Sequence, residues 1–252
     1  MRLPRLPHCH NGAMIVDPAA EPVPSARATA PGSPAAQSLS AQKSRLRSRA
    51  RRVRSELTSP QRVRAAHGFA EGLERLIERH PDGPVLAFLP LPTEPPLTEA
   101  LRALITRREV LLPVTMAQRR MLWTRWLPET QFAPSGPGGL REAIGARTPA
   151  PGSPGLVLVP ALALSADGTR LGMGGGFYDT FLEHLPPRTP IVGCVYSWEV
   201  LPAGAVPADP WDALLPRVLT DRGIRALGDA ASGQGGAADQ GDDEGGGVRT
   251  GT

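Results

Sequence analysis

Nine residues, LVLVPALAL (156–164), form the most apolar run of the chain and stop at an Ala-Asp-Gly turn. A short apolar run closed by turn residues is the pattern of a strand buried on both faces. It falls well short of the ~18 apolar residues of a membrane span, and no other run comes nearer. A strand buried on both faces demands strands on either side and helices above and below. The rest of the chain supplies both. VLAFLPL (85–91), EVLLPVT (109–115), IVGCVYS (191–197) and PRVLTDRGI (216–224) read as further strands. MLWTRWL (121–127) sets Leu122, Thr124 and Trp126 against Met121, Trp123, Arg125 and Leu127, which suits an antiparallel or edge strand.

Helical patterns lie between them. Leu46, Ala50, Val53 and Leu57 make one apolar stripe at helical spacing. A second helix starts with Ser59 as N-cap and Pro60 at its first position, and its expected inner face is Val63, Ala66, Ala70, Leu73 and Ile77. LTEALRALITRR (97–108) and FYDTFLEHL (177–185) read as helices too. Strands alternating with helices predict an α/β fold: a mainly parallel sheet with helices on both faces, three-layered and Rossmann-like. Ligands of such sheets bind beyond the carboxyl ends of the strands.

Gly and Pro, at 28 and 29 residues, are about twice their usual share, and much of the excess lies at the ends. Residues 1–42 and the Gly-rich acidic segment 228–252 hold too few large apolar side chains to offset the entropy of ordering, so both are expected to be disordered. That leaves 43–227 as the working domain. Of the two cysteines, Cys9 falls in the expected disordered start and Cys194 in an apolar run. They form no metal-binding spacing and are poor disulfide partners, which fits a reducing cytoplasm. Prolines interrupt the first residues where an export signal needs an apolar core.

The net charge of +4 is concentrated in KSRLRSRARRVR (43–54), where Lys43, Arg45, Arg47, Arg49, Arg51, Arg52 and Arg54 stand without an acid. Three readings fit: a nucleic-acid patch, a solvated helix face, or a helix that meets a phosphorylated small molecule. The second unusual stretch is RLGMGGGFYD (170–179). It contains no Gly-Lys, so it is not a P-loop, and Phe177 stands where a dinucleotide fingerprint needs its third glycine. Glycines ahead of a helix let backbone N–H groups converge on an anion. Arg170 adds a bidentate cation and Asp179 a hard oxygen ligand suited to Mg²⁺. A flexible glycine turn with a capping aspartate fits the same residues.

The whole stretch LVLVPALALSADGTRLGMGGGFYDTFL closely resembles the signature of the 5-formyltetrahydrofolate cyclo-ligases, with Val159-Pro160 closing the strand and Arg170, Leu171, Gly172, Gly174, Gly176, Phe177, Tyr178 and Asp179 in order. Lys43, Leu46 and Arg47 fit that family's amino-terminal Lys-x-x-Leu-Arg helix. VLAFLPLPTE fits its strand, Pro-rich loop and glutamate, Glu94, and VPADPWDALLPRVLTDRG fits its closing segment, with Trp211 where a histidine often stands. The resemblance implies ATP- and Mg²⁺-dependent conversion of 5-formyltetrahydrofolate to 5,10-methenyltetrahydrofolate, with ADP and phosphate released after phosphorylation of the formyl oxygen. It implies that Lys43, Ser44, Arg45, Leu46 and Arg47 hold ATP together with Arg170, Leu171, Gly172, Met173, Gly174, Gly175, Gly176, Phe177 and Tyr178. Glu94 and the stretch from Met173 through Gly174, Gly175 and Gly176 to Phe177 would meet the folate. Arg170 and Tyr178 would act in catalysis, and Asp179 and Asp212 would bind the metal. The implied partner is a small folate, without nucleic acid or membrane, and a monomer is compatible with it. The competing reading is a folate- or nucleotide-binding protein on the same fold that does not turn over.

Overall fold

The structure, a computed structural model, describes residues 34–135, 140–209 and 212–228. The expectations for residues 1–33 and 229–252, and for Trp211, lie outside the described residues.

Five parallel strands form the centre of a seven-stranded sheet. They are β1 (Val85–Leu86), β2 (Val110–Thr115), β6 (Leu156–Pro160), β9 (Ile191–Cys194) and β11 (Arg217–Thr220). Two antiparallel strands, β3 (Met121–Arg125) and β12 (Gly223–Ala226), close the edges, so the order is β12-β11-β9-β6-β1-β2-β3. β6 is the middle strand, as its apolar run predicted, and MLWTRWL is the antiparallel edge. A two-stranded sheet pairs β4 (Phe132–Pro134) with β5 (Arg141–Ala143). A three-stranded sheet joins β7 (Ala163–Ser165), β8 (Arg170–Leu171) and β10 (Val200–Leu201).

Successive side chains of β6 face opposite cores. Leu156 and Leu158 join Phe69, Leu73, Leu76, Leu101 and Leu104 beneath two helices, α2 (Ser59–Arg79) and α3 (Thr98–Leu104). Val157 and Val159 join Trp123, Val218 and Leu182 on the other side, under the short helix α4 (Phe177–Leu182). The three-layer α/β expectation therefore holds.

Two expected strands are shortened. The run 156–164 divides at Pro160: β6 stays in the main sheet, while Ala163–Ser165 turns into the small one. The run 85–91 pairs on both sides only at Val85 and Leu86, although the Ala87 N–H still donates to the Leu111 carbonyl at 2.9 Å. The run 216–224 divides into β11 and β12 around a two-residue turn, where Gly223 takes φ +112°.

Two helices depart from expectation. Thr58, not Ser59, is the α2 N-cap, in a capping box with Gln61. The buried face of α2 is Ala65, Phe69, Gly72, Leu73, Leu76 and Ile77, while Val63 is 58% exposed. The rotation follows from close approach. A Cβ on Gly72 would stand 2.3 Å from a Leu219 methyl carbon, so the glycines press this face onto β11. Helix α1 (Pro34–Ser55) begins inside the segment 1–42 expected to lack order, nine residues ahead of Lys43. Its predicted apolar stripe is only partly buried: Leu46 and Ala50 pack on a small cluster of Leu162, Ala163, Leu171 and Val206.

Candidate active site

Helix α1 lies along the carboxyl-terminal side of the sheet and brings a polar face to the glycine loop. Residues 43 and 47 are one helical turn apart and share a face. The Lys43 ammonium donates to Asp209 Oδ2 at 2.6 Å and to Asp212 Oδ2 at 2.5 Å. Burial works to lower the Lys43 pKa, but hydrogen bonds to Asp209 and Asp212 and their charge outweigh it and hold the ammonium above its usual value. One turn on, Arg47 Nε donates to the Gly172 carbonyl at 2.9 Å. Burial lowers the Arg47 pKa, and the positive charge of Arg51 and Arg170 adds to that, against the opposing pull of Asp212.

The loop itself hangs between β8 and α4. Arg170, buried at the end of the small sheet, donates Nη2 to Asp179 Oδ1 at 2.6 Å and Nη1 to the Pro160 carbonyl at 3.3 Å. Its Nε is buried with no partner among the described residues. Every second glycine stands against an arginine. A Cβ on Gly172 would stand 2.5 Å from Arg170 Nη1, one on Gly174 3.4 Å from Arg47 Cζ, and one on Gly176 3.2 Å from Arg119 Cδ. Gly176 is also the α4 N-cap in the left-handed conformation, φ +72°. The glycines thus admit three guanidinium groups from three parts of the chain. Helix α4 ends at Leu182, earlier than the run 177–185 suggested, so six residues of aligned dipole add little to the cradle.

These groups line one cleft of about 360 Å³, within the range of small-molecule sites. Lys43, Arg47, Arg170, Leu171, Gly172, Gly174, Gly176, Asp179 and Asp212 border it. Sequence reasoning missed Arg119 and Asp209, which border it as well. Arg119 sits at the tip of the β2–β3 hairpin, where Gln118 and Arg119 both take φ 59°, a conformation costly for residues with a Cβ. Both are brought in by tertiary structure; the only signal for Asp209 was its place three residues before Asp212 in the closing segment.

The other expected site residues lie elsewhere. Ser44 and Arg45 are exposed and do not line the cleft, and Leu46 packs on the small apolar cluster. Met173 is exposed, and a Cβ on Gly175 would meet the Phe177 ring at 3.0 Å. The Tyr178 hydroxyl is buried without a partner among the described residues, with the Arg170 guanidinium 5.8 Å from its ring centre. Burial drives its pKa well above the usual phenol value, the Glu94 charge adds to this, and Arg170 opposes it. Glu94 is 5% exposed and lies outside the cleft lining. Its Oε2 accepts the Leu91 N–H at 2.9 Å, and its carbonyl accepts the Tyr196 hydroxyl at 3.1 Å. Burial raises the Glu94 pKa, against the pull of the Leu91 N–H and Arg54.

The sequence profile of the 5-formyltetrahydrofolate cyclo-ligase family matches residues 39–221. The 5-formyltetrahydrofolate cyclo-ligase of Mycolicibacterium smegmatis is 36% identical over 152 residues, 57% of this chain and 76% of that protein. That of Haemophilus influenzae is 26% identical over 179 residues, 69% of this chain and 95% of that protein. The solution structure of Aquifex aeolicus 5,10-methenyltetrahydrofolate synthetase superimposes with a TM-score of 0.62 at 25% identity, covering 80% of this chain and 98% of its own. With most of the chain inside the profile and the loop, the basic helix and the closing segment assembled around one cleft, this protein belongs to the 5-formyltetrahydrofolate cyclo-ligase family.

Proposed function

We propose that the protein converts 5-formyltetrahydrofolate to 5,10-methenyltetrahydrofolate at the expense of ATP, in a reducing cytoplasm, and that the cleft between α1 and the glycine loop holds the triphosphate. The observation that carries this reading is convergence. Lys43 and Arg47 on α1, Arg119 in the β2–β3 hairpin and Arg170 on β8 come from three separate parts of the chain and border one cleft. That much positive charge is suited to three phosphates. In the structure these groups rest on internal partners: Lys43 on Asp209 and Asp212, Arg170 on Asp179, Arg47 on the Gly172 carbonyl. Phosphate oxygens would take over those partners' role.

Among the described residues no group of three or more His, Cys, Asp or Glu side chains gathers in the manner of an all-protein metal cage. Mg²⁺ does not need one, since it is held by one or two carboxylates plus phosphates and water. The donor set fits it. Asp179 is 28% exposed toward the cleft with one oxygen on Arg170, and Asp212 uses Oδ2 for both Lys43 and the Asp209 N–H. Each keeps a hard oxygen for a cation. Asp179 and Asp212 would hold the cation, which would supply neutralisation of the phosphate charge.

The formyl oxygen is a poor leaving group, so ring closure requires its conversion to a phosphate ester. Arg170, Arg47 and Lys43 would hold the triphosphate in line with that oxygen and offset the charge that develops. Folate N10 then attacks the formyl carbon, loses its proton, and phosphate departs with the C–O bond pair. The Tyr178 hydroxyl, neutral at any physiological pH, can only donate or accept a hydrogen bond. We assign Glu94 to the folate side; burial raises its pKa, and its charge is felt by the Tyr178 hydroxyl. The assay is the appearance of methenyl absorbance from 5-formyltetrahydrofolate. It should require both ATP and Mg²⁺; folded protein that produces no chromophore with both present would overturn the reading.

A further inference from the structure

Helix α1 is a 22-residue rod with few apolar contacts, yet it carries two of the cleft's cations. Something other than apolar burial must set its position. Residue 54 lies seven and eleven positions after residues 47 and 43, on the same helical face. Arg54 is the most deeply buried charged side chain of the helix, at 1% exposure. Its Nε donates to Glu199 Oε1 at 2.7 Å, and its Nη2 donates to Glu199 Oε2 at 2.8 Å and to the Ala161 carbonyl at 2.6 Å. Glu199 is held in turn by the Tyr196 N–H at 3.0 Å on Oε2. Ala161 follows the last residue of β6, and Glu199 lies five residues beyond the last residue of β9. One planar guanidinium therefore ties the helix to the carboxyl ends of two adjacent central strands, by contacts that fix both distance and orientation.

We propose that Arg54 and Glu199 are positioning residues for nucleotide binding: their buried pair aims α1 so that Lys43 and Arg47 reach the glycine-loop cleft. This rests on the assignment of that cleft to ATP. Helix geometry gives the lever. Arg47 is about 10 Å and Lys43 about 16 Å along the axis from Arg54. A pivot of about 5° at Arg54 would carry Lys43 roughly 1.4 Å, and a misplacement of about 1 Å is enough to cost ~100-fold at a reacting centre. A buried ion pair is poor at adding stability, and apolar pairs often replace it without loss. Its bidentate geometry is what an apolar pair lacks.

The experiment compares Glu199→Gln, Arg54→Lys and the double variant Arg54→Met/Glu199→Leu with wild type, reading Tm, KM for ATP and KM for 5-formyltetrahydrofolate. Glu199→Gln keeps the side-chain shape and gives a measurable protein if Arg54→Lys does not fold. Glu199→Gln and the double variant should raise KM for ATP at least five-fold, with KM for the folate within two-fold. The double variant should also recover wild-type Tm without recovering the ATP KM, a split that a merely structural pair would not show. Lys43→Ala serves as the reference. A raised ATP KM in Lys43→Ala, with an unchanged one in Glu199→Gln and the double variant, overturns the positioning role alone. An unchanged ATP KM in Lys43→Ala removes the nucleotide assignment of α1 and the positioning role with it.

Discussion

Replacing Asp179 with alanine separates the structural need of Arg170 from the chemistry of the cleft. Arg170 is 7% exposed, and Asp179 supplies its single ion pair among the described residues. Its other contact is a long one, 3.3 Å to the Pro160 carbonyl, and Nε already lacks a partner. Breaking a fully buried pair costs about 3–5 kcal/mol because a charge is left behind. Here Asp179 is 28% exposed, so water enters from the cleft side and the loss is discounted to about 2 kcal/mol. For a domain of this size that lowers Tm by about 4–8 °C. The stranded cation also needs an anion more than it did. Pyrophosphate without Mg²⁺ should therefore raise the Tm of Asp179→Ala by more than it raises that of wild type, while methenyl formation from Mg²⁺-ATP is lost. A thermal melt with and without pyrophosphate reads both effects. A variant Tm within about 2 °C of wild type, with no larger response to pyrophosphate, would refute the reasoning that Arg170 depends on Asp179. Retention of most turnover would remove the metal role of Asp179.

Two further predictions test the folate side and the loop. Burial raises the Glu94 pKa, so this group favours the native state below the ordinary carboxylate range and loses that contribution as pH rises through its raised pKa. Glu94→Gln, which cannot ionise, should melt above wild type at pH 8, with the gap closing toward pH ~4.3, the ordinary glutamate value; a gap independent of pH would show that the carboxylate is not strained by burial. Gly176 takes φ +72° and lies under Arg119, so Gly176→Ala adds both backbone strain of about 1–2 kcal/mol and a contact that pushes Arg119 off the cleft. It should lower Tm by roughly 3–6 °C and raise KM for ATP, whereas an unchanged KM would mean that Arg119 does not meet the nucleotide.

The sheet was readable because its strands are buried on both faces, and a strand with no solvent side writes itself as an unbroken apolar run. What blurred was the ends of the runs, where pairing stops without the sequence becoming less apolar. The inner face of α2 was misjudged for a related reason. Hydrophobicity favours Val63 and Ala66 over Gly68 and Gly72, yet close packing needs the glycines: a Cβ at residue 68 would stand 2.0 Å from the Asp221 carbonyl oxygen. Lys43, Arg47, Arg170 and Asp179 were legible from the motifs they sit in, but Arg119, Asp209 and Arg54 were not. A motif shows which residues share a stretch of chain; it does not show which distant carboxylate or glycine will face them. The basic run 43–54 shows the difference most clearly. As a sequence it is seven like charges, equally suited to solvent or to a polyanion. Folded, Lys43, Arg47 and Arg54 on one face meet two aspartates, a glycine carbonyl and a glutamate, while Arg45, Arg49 and Arg52 remain in water. The helix is amphipathic in hydrogen-bonding partners rather than in hydrophobicity, and an apolar period could not reveal it.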